Sequence, residues 1–562
     1  MTTCPRSEHA SRIGSLRLTP TQPGGIHAHY APRILALAIA LPLAAGSGLS
    51  FAAGLTPVPD ANPKSPGSAP PNALSPELTE KIVVQGSNPL ENTSGQFSFY
   101  GYNNDGPMLP ALGSNAEATK TEPDKNTYLV LPHLVGPDSH YDYGHRFLFQ
   151  GHENSKGGNS YITRINLDAD GAHRVTLLAT TDTDGNALPA FDGSTWYPWA
   201  QRLLFSAEGA KGGGIWQATL GVPADVDSLV KIIGQGGFEG MQADSSGNIW
   251  IVEDAGGVAG AVNTHAKQPN SFIYRFVPKD PRDLKKGGKL QALQVLSKHS
   301  GNPIVFHGGQ ADADITSMDQ KDLHTYGRTF RTQWVTIHDT STDGFVSFNA
   351  NALAKTKLAT PFKRPENGQF RPGTGFREFY FDTTGDTNNL TEAASFGGFG
   401  AIFKLAQRSP AADDGTLTLF YLSDAPHSSF DNVAFWSPNE VVFVQDMGDT
   451  LHTQINAFDS AFLFDVRKDY SKPVNQPVRI LALGRDPSAT IDSGLLGTGG
   501  FQNEGDNEIT GIHISDGDPT VNGLLGAKLP WPFHFGWRVF YTQQHGDNQT
   551  WEIIPENDND AQ

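Results

Sequence analysis

Apolar residues in this chain come in short runs, and Gly, Pro, Asn, Asp or Ser close almost every one. That pattern predicts many short strands joined by tight turns, with few helical periods. Glu239–Asp254 (EGMQADSSGNIWIVED) shows the unit most clearly. An acid opens it, two apolar runs flank a Ser-Ser-Gly-Asn turn, and an acidic pair closes it. Asp431–Asp446 (DNVAFWSPNEVVFVQD) repeats the design at the same spacing, closing on one acid. Each copy reads as a β-hairpin, and a hairpin brings its two ends together. The repeat therefore predicts that the opening and closing acids point at a common place.

Related units recur along the chain: Phe147–Glu153, Asp192–Glu208, the strand Trp334–Asp339, Arg364–Asp386, Asn507–Ser515 and Arg538–Asn548. Repeated strand units without internal helices predict an all-β fold, a β-propeller with six blades and long inserted loops, which protects its sheet edges by radial repetition. A β-sandwich is the competing all-β arrangement. Irregular unit lengths disfavour a β-helix.

Composition adds constraints. With 38% hydrophobic residues the chain can build a core, and its 61 Gly and 38 Pro fit a turn-rich fold. The formal net charge of −18 argues against nucleic acid and anionic membranes as partners and suits hard cations. Arg6, Arg12, Arg17 and Arg33 precede the apolar run ILALAIALPLAA that starts at Ile34. Small residues near Ala52 and Ala53 follow, so residues 1–53 are expected to be a signal peptide and the mature protein periplasmic or secreted from a bacterium. Residues 54–80 are expected to be a Pro/Ser-rich linker, 81–556 a single propeller domain and 557–562 a polar tail. Cys4 is the only cysteine and lies in the segment expected to be removed, leaving no disulfide or thiolate ligand.

The motifs, taken in order, resemble the PhoX-type alkaline phosphatase family and its relatives of unknown function. GHE at Gly151–Glu153, TWYPWAQRLLFSAE at Thr195–Glu208, GGFEGMQAD…WIVED, FKRPENG at Phe362–Gly368, FDNVAF…VFVQD and NEITGIHIS…FYTQQHGDN carry the likeness. The resemblance spans roughly residues 95–553. It implies a six-bladed propeller whose central channel holds calcium and ferric iron, and an enzyme that hydrolyses small phosphate monoesters. The matching metal ligands are Glu208, Glu239, Asp254, Glu366, Asp431, Asp446 and Glu508. Arg364 matches the arginine that contacts the substrate phosphate. The family's iron-ligating cysteine has no counterpart; Asp192 stands in that neighbourhood, and Phe238 replaces a family histidine before the glutamate.

Calcium, which takes six to eight oxygen ligands, suits an all-carboxylate set. Arg364 precedes Pro365 and is expected in an extended segment that turns it to the same side as Glu366. His152 and His545 end apolar runs and can orient ligands, bind metal or donate a proton. Two other functions fit a calcium propeller. One is a lactonase or esterase using Asn432 beside Asp431, and the other is a non-catalytic binding protein. A monomer is expected.

Overall fold

The protein is described here from a computed structural model, which covers residues 54–64, 71–92, 95, 97–102, 121–153, 160–209, 212–484, 508–544 and 548–556. The expected signal peptide, the polar tail and His545 lie outside the described residues. The chain is all-β, with 39% strand and 9% helix, and its sheets are arranged like a propeller.

Four units are separate antiparallel sheets, each starting with three or four consecutive strands. The first contains Thr127–Val130, Arg146–Gly151, Ile162–Asn166 and Val175–Ala179. The second contains Ser194–Tyr197, Arg202–Ala207, Gly214–Ala218 and Val226–Ser228. A third starts at Phe430–Ser437 and runs through Glu440–Gln445 and Ser460–Asp465 to Val478–Ala482, with Ala73–Leu74 added outside. The last sheet comprises Ile509–Ser515, Arg538–Gln543 and Gln549–Pro555, with Leu78–Val84 added outside.

Between these lies one nine-stranded sheet. Its two halves start at Phe238–Ala243 and at Gly368–Phe370, and they are welded where Thr329–Asp339 pairs with Asp414–Leu422 (Thr329 opposite Thr418, Gln333 opposite Asp414). Six separate blades were expected. Among the described residues the sheets instead number four separate blades plus this fused one, because the long outer strand Thr329–Asp339 has two paired edges. The opening strands nevertheless form a closed circuit. Thr127–Val130 touches Ser194–Tyr197, which touches Phe238–Ala243, then Gly368–Phe370, Phe430–Ser437 and Ile509–Ser515, which returns to Thr127–Val130.

Strand sequences explain this layering. Inner strands such as Arg202–Ala207 (RLLFSA) and Ile249–Glu253 (IWIVE) are buried on both faces, since neighbouring sheets cover them, and so lack polar alternation. The outer strand Thr329–Asp339 (TFRTQWVTIHD) alternates buried Phe330, Thr332 and Trp334 with more exposed neighbours.

The stretch 54–80, expected to be a linker, is structural wherever it is described. Leu55 and Val58 are buried, and Ala73–Leu74 pairs with Val478–Ala482. Leu78–Val84 pairs with Gln549–Pro555, so a strand from the N-terminal side completes the C-terminal sheet. The prolines set off short apolar segments that occupy sheet edges, where a missing N–H is tolerated. No described helix is long and apolar enough to cross a membrane.

Candidate metal centre

The two hairpins form as expected. Phe238 pairs with Glu253 and Phe430 with Gln445, and in both the opening strand is bulged at the acid, between Phe238 and Met241 and between Phe430 and Val433. A bulge re-aims a side chain, here Glu239 and Asp431. The closing acids are set identically: Asp254 N–H donates to the Gly237 carbonyl (2.7 Å) and Asp446 N–H to the Ser429 carbonyl (2.9 Å).

The same placement recurs around the circuit. Asp124, Asp192, Glu239, Glu366, Asp431 and Glu508 all stand at or just before the opening strand of their unit. Glu153, Glu208, Asp254 and Asp446 all stand just after the second strand. Antiparallel pairing puts both sets at one end of the ring.

Four carboxylates come together. One oxygen each from Glu208, Glu239, Asp254 and Glu366 lies within 4.8 Å of the others. A second group, Glu153, Asp192 and Glu208, meets the same criterion and shares Glu208. Close backbone packing builds the first group. Gly240 N–H donates to the Glu366 carbonyl (2.8 Å), and a Cβ on Gly240 would sit 2.5 Å from Asn367 Oδ1. Glycine at 240 is what lets the strand bearing Glu239 approach the segment bearing Glu366.

Crowding shows in the titration. Burial, followed by Asp254 and Glu366, pushes Glu208 up to about 8. Burial and then Asp254 push Glu366 up to about 7. Glu239, Glu153, Asp192 and Asp431 are all held well above the usual carboxylate range, burial first and neighbouring carboxylates next. So many buried carboxylates cannot all ionise unless cations sit among them. The donor set is entirely oxygen, which fits a hard cation such as calcium.

Arg364 braces this group. Its Nε lies 3.1 and 3.0 Å from the two oxygens of Asp254, one terminal nitrogen is 2.9 Å from Asp254 Oδ2, and the same nitrogen is 3.3 Å from Glu366 Oε1. Burial alone would lower its pKa, but Asp254 and Glu366 together hold it well above the ordinary value. Arg364 does face the same side as Glu366. It does so by a left-handed kink (φ 55°), however, and not by the extended geometry expected before Pro365.

Asp431, Asp446 and Glu508 do not join the two close groups. They face the same end of the ring, since the charges of Glu508, Glu366 and Asp446 all act on Asp431. Asn432 is engaged: its amide nitrogen donates to Asp431 Oδ1 (3.0 Å) and its oxygen accepts from Lys125 Nζ (2.6 Å).

His152 is bonded into the core. It is fully buried, with Nδ1 3.0 Å from the Thr121 carbonyl and Nε2 2.8 Å from Thr163 Oγ1, and burial lowers its pKa to about 3. The imidazole is held neutral with both ring nitrogens hydrogen-bonded in the core, which fixes the backbone next to Glu153.

Several participants were missed as site residues. Glu153 was visible as the end of the Gly151–Glu153 motif, and Asp192 as the residue near the family's cysteine position. Asp124, Lys125 and Asp382 carry no motif. Burial pushes Asp124 up to about 6, and Asp382 accepts from Asn367 N–H (2.8 Å) while its Oδ2 has no hydrogen-bond partner among the described residues.

Comparison with known proteins adds the following. The model of the family described as alkaline phosphatase PhoX matches residues 260–457. That region holds Arg364, Glu366, Asp382, Asp431 and Asp446, and Asp124, Glu153, Asp192, Glu208, Glu239, Asp254 and Glu508 lie outside it. No curated protein matches the chain. Among solved structures, Chaetomium thermophilum Sqt1 bound to the N-terminus of ribosomal protein L10 is 10% identical over 77% of this chain and 97% of its own, with a TM-score of 0.30. A Trichoderma reesei carbohydrate-active enzyme of family AA12 is 12% identical over 67% and 95%, with a TM-score of 0.28. The aldose sugar dehydrogenase of Streptomyces coelicolor is 11% identical over 73% and 99%, also at 0.28.

Proposed function

We propose that this chain, whose residues 260–457 match the model of the alkaline phosphatase PhoX family, is a metal-dependent phosphatase acting on small phosphate monoesters. The observation that carries this reading is the convergence of Glu208, Glu239, Asp254 and Glu366 around the Arg364 guanidinium. Glu208, Glu239, Asp254 and Glu366 would hold one cation, and Glu153, Asp192 and Glu208 another. Calcium is the ion the donors suit, and iron would have to do without a cysteine ligand. A bound cation supplies Lewis acidity toward a phosphoryl oxygen.

The chain's own residues do the rest. Arg364 offers a planar fork of N–H donors to the phosphoryl oxygens and stabilises charge that builds on them during transfer. Asp254 and Glu366 fix the direction of that fork before substrate arrives, so little reorganisation accompanies the reaction. Buried surroundings of Glu239 and Asp192 exclude water and strengthen each interaction with the phosphate. Export from the cytoplasm is part of this reading, supported by the basic N-terminal segment and the apolar run that starts at Ile34.

The test is p-nitrophenyl phosphate hydrolysis by the calcium-loaded protein and by its Arg364→Ala and Glu239→Gln variants. Hydrolysis by the wild type that falls at least a hundredfold in both variants supports the reading. Calcium binding without hydrolysis would instead favour a non-catalytic calcium-stabilised propeller.

A further inference from the structure

Three cationic side chains meet at one edge of the carboxylate centre, and two are already committed. Arg364 is bound to Asp254 and Glu366. Lys363 Nζ lies 2.8 Å from both oxygens of the buried Asp386. The third is Lys267. Its backbone N–H donates to the same Asp386 (2.9 Å), which also accepts from Thr391 Oγ1 (2.7 Å) and so ties the two cation-bearing segments to each other. Lys267 is half-buried, yet its ammonium has no hydrogen bond or ion pair among the described residues. Its charge acts on Arg364, on Asp386 and on the centre's Asp254 and Glu366, so the side chain lies on the side of the centre. The rim loop 255–266 connects Asp254 directly to Lys267.

A partly desolvated ammonium whose nearby carboxylates make no direct hydrogen bond to it is placed to take an anion that arrives there. We propose that Lys267 is a second substrate-binding side chain, whose ammonium takes a phosphoryl oxygen of the phosphate ester beside Arg364. This rests on the phosphatase reading above. Two cations with different geometry then share the phosphate: the arginine fork fixes orientation, and the lysine acts as a mobile point charge.

The experiment is calorimetric titration of calcium-loaded protein with inorganic phosphate, for the wild type, Lys267→Met and Lys267→Arg. Phosphate binding should weaken at least tenfold in Lys267→Met and return to within threefold of wild type in Lys267→Arg. The melting temperature of Lys267→Met should match the wild type, because no protein contact of the ammonium is lost. Phosphate affinity in Lys267→Met within twofold of wild type overturns the inference. Wild-type hydrolysis of p-nitrophenyl phosphate, measured alongside, separates the two claims. If the wild type hydrolyses nothing, the phosphatase reading falls, and the phosphate titration still decides whether Lys267 binds the anion.

Discussion

Arg364 grips both oxygens of Asp254, although 110 residues separate them in the chain. The contact joins the end of one hairpin to the start of the next half of the fused sheet. It places a permanent cation against a group of carboxylates that would otherwise repel one another. Substitution should therefore affect activity and cohesion together. Arg364→Lys keeps the charge but loses the fork, and p-nitrophenyl phosphate kcat/KM should fall about a hundredfold, the scale of a lost charge-stabilising donor.

Gly240 is predicted to be irreplaceable by residues as small as alanine. A new Cβ would meet Asn367 Oδ1 at 2.5 Å and Asn367 Cα at 2.8 Å, so the strand bearing Glu239 must retreat from Glu366. Gly240→Ala should cost about 1–3 kcal/mol in urea unfolding, the scale of overpacking, and should weaken calcium binding.

The N-terminal segment should matter to folding despite its linker-like composition. Removing residues up to 84 deletes the outer strand that pairs with Gln549–Pro555 and bares that edge. The truncated protein should melt well below the full mature chain or aggregate on expression, as scanning calorimetry and gel filtration will show.

Acid sensitivity should come in part from His324. It is buried, its Nδ1 lies 2.8 Å from the Gln320 carbonyl, and burial lowers its pKa to about 4 from the ordinary 6.5. A histidine with a depressed folded-state pKa contributes stability above pH about 6.5 that is lost as pH falls toward 4. The full loss is about 3 kcal/mol at about 1.4 kcal/mol per pKa unit. Urea unfolding of His324→Gln at pH 7 and pH 4.5 should show a smaller acid loss than the wild type.

Much of the centre was legible because acids at strand ends, held at a repeated spacing, can meet only if hairpins bring them together. The pairings of Phe238 with Glu253 and Phe430 with Gln445 bear that out. What stayed hidden depends on rotations that periodicity does not encode. His152 and Glu153 are adjacent, yet one ring is bonded into the core and the other carboxylate joins the acidic centre. Arg364 reaches Glu366 through a positive φ that the following proline gave no sign of. Ala73–Leu74 is too short a strand to register as a pattern, and only its pairing with Val478–Ala482 reveals it.

Glu208 belongs to both close groups of carboxylates, so the most direct measurement is calcium titration of chelator-stripped wild-type protein and its Glu208→Gln variant, followed by calorimetry with thermal melting in parallel. Saturable calcium binding that raises the wild-type melting temperature, and that weakens at least tenfold in Glu208→Gln, is the predicted result. Equal calcium affinity in the two proteins, or no binding of calcium or any other divalent cation by the wild type, would contradict the account.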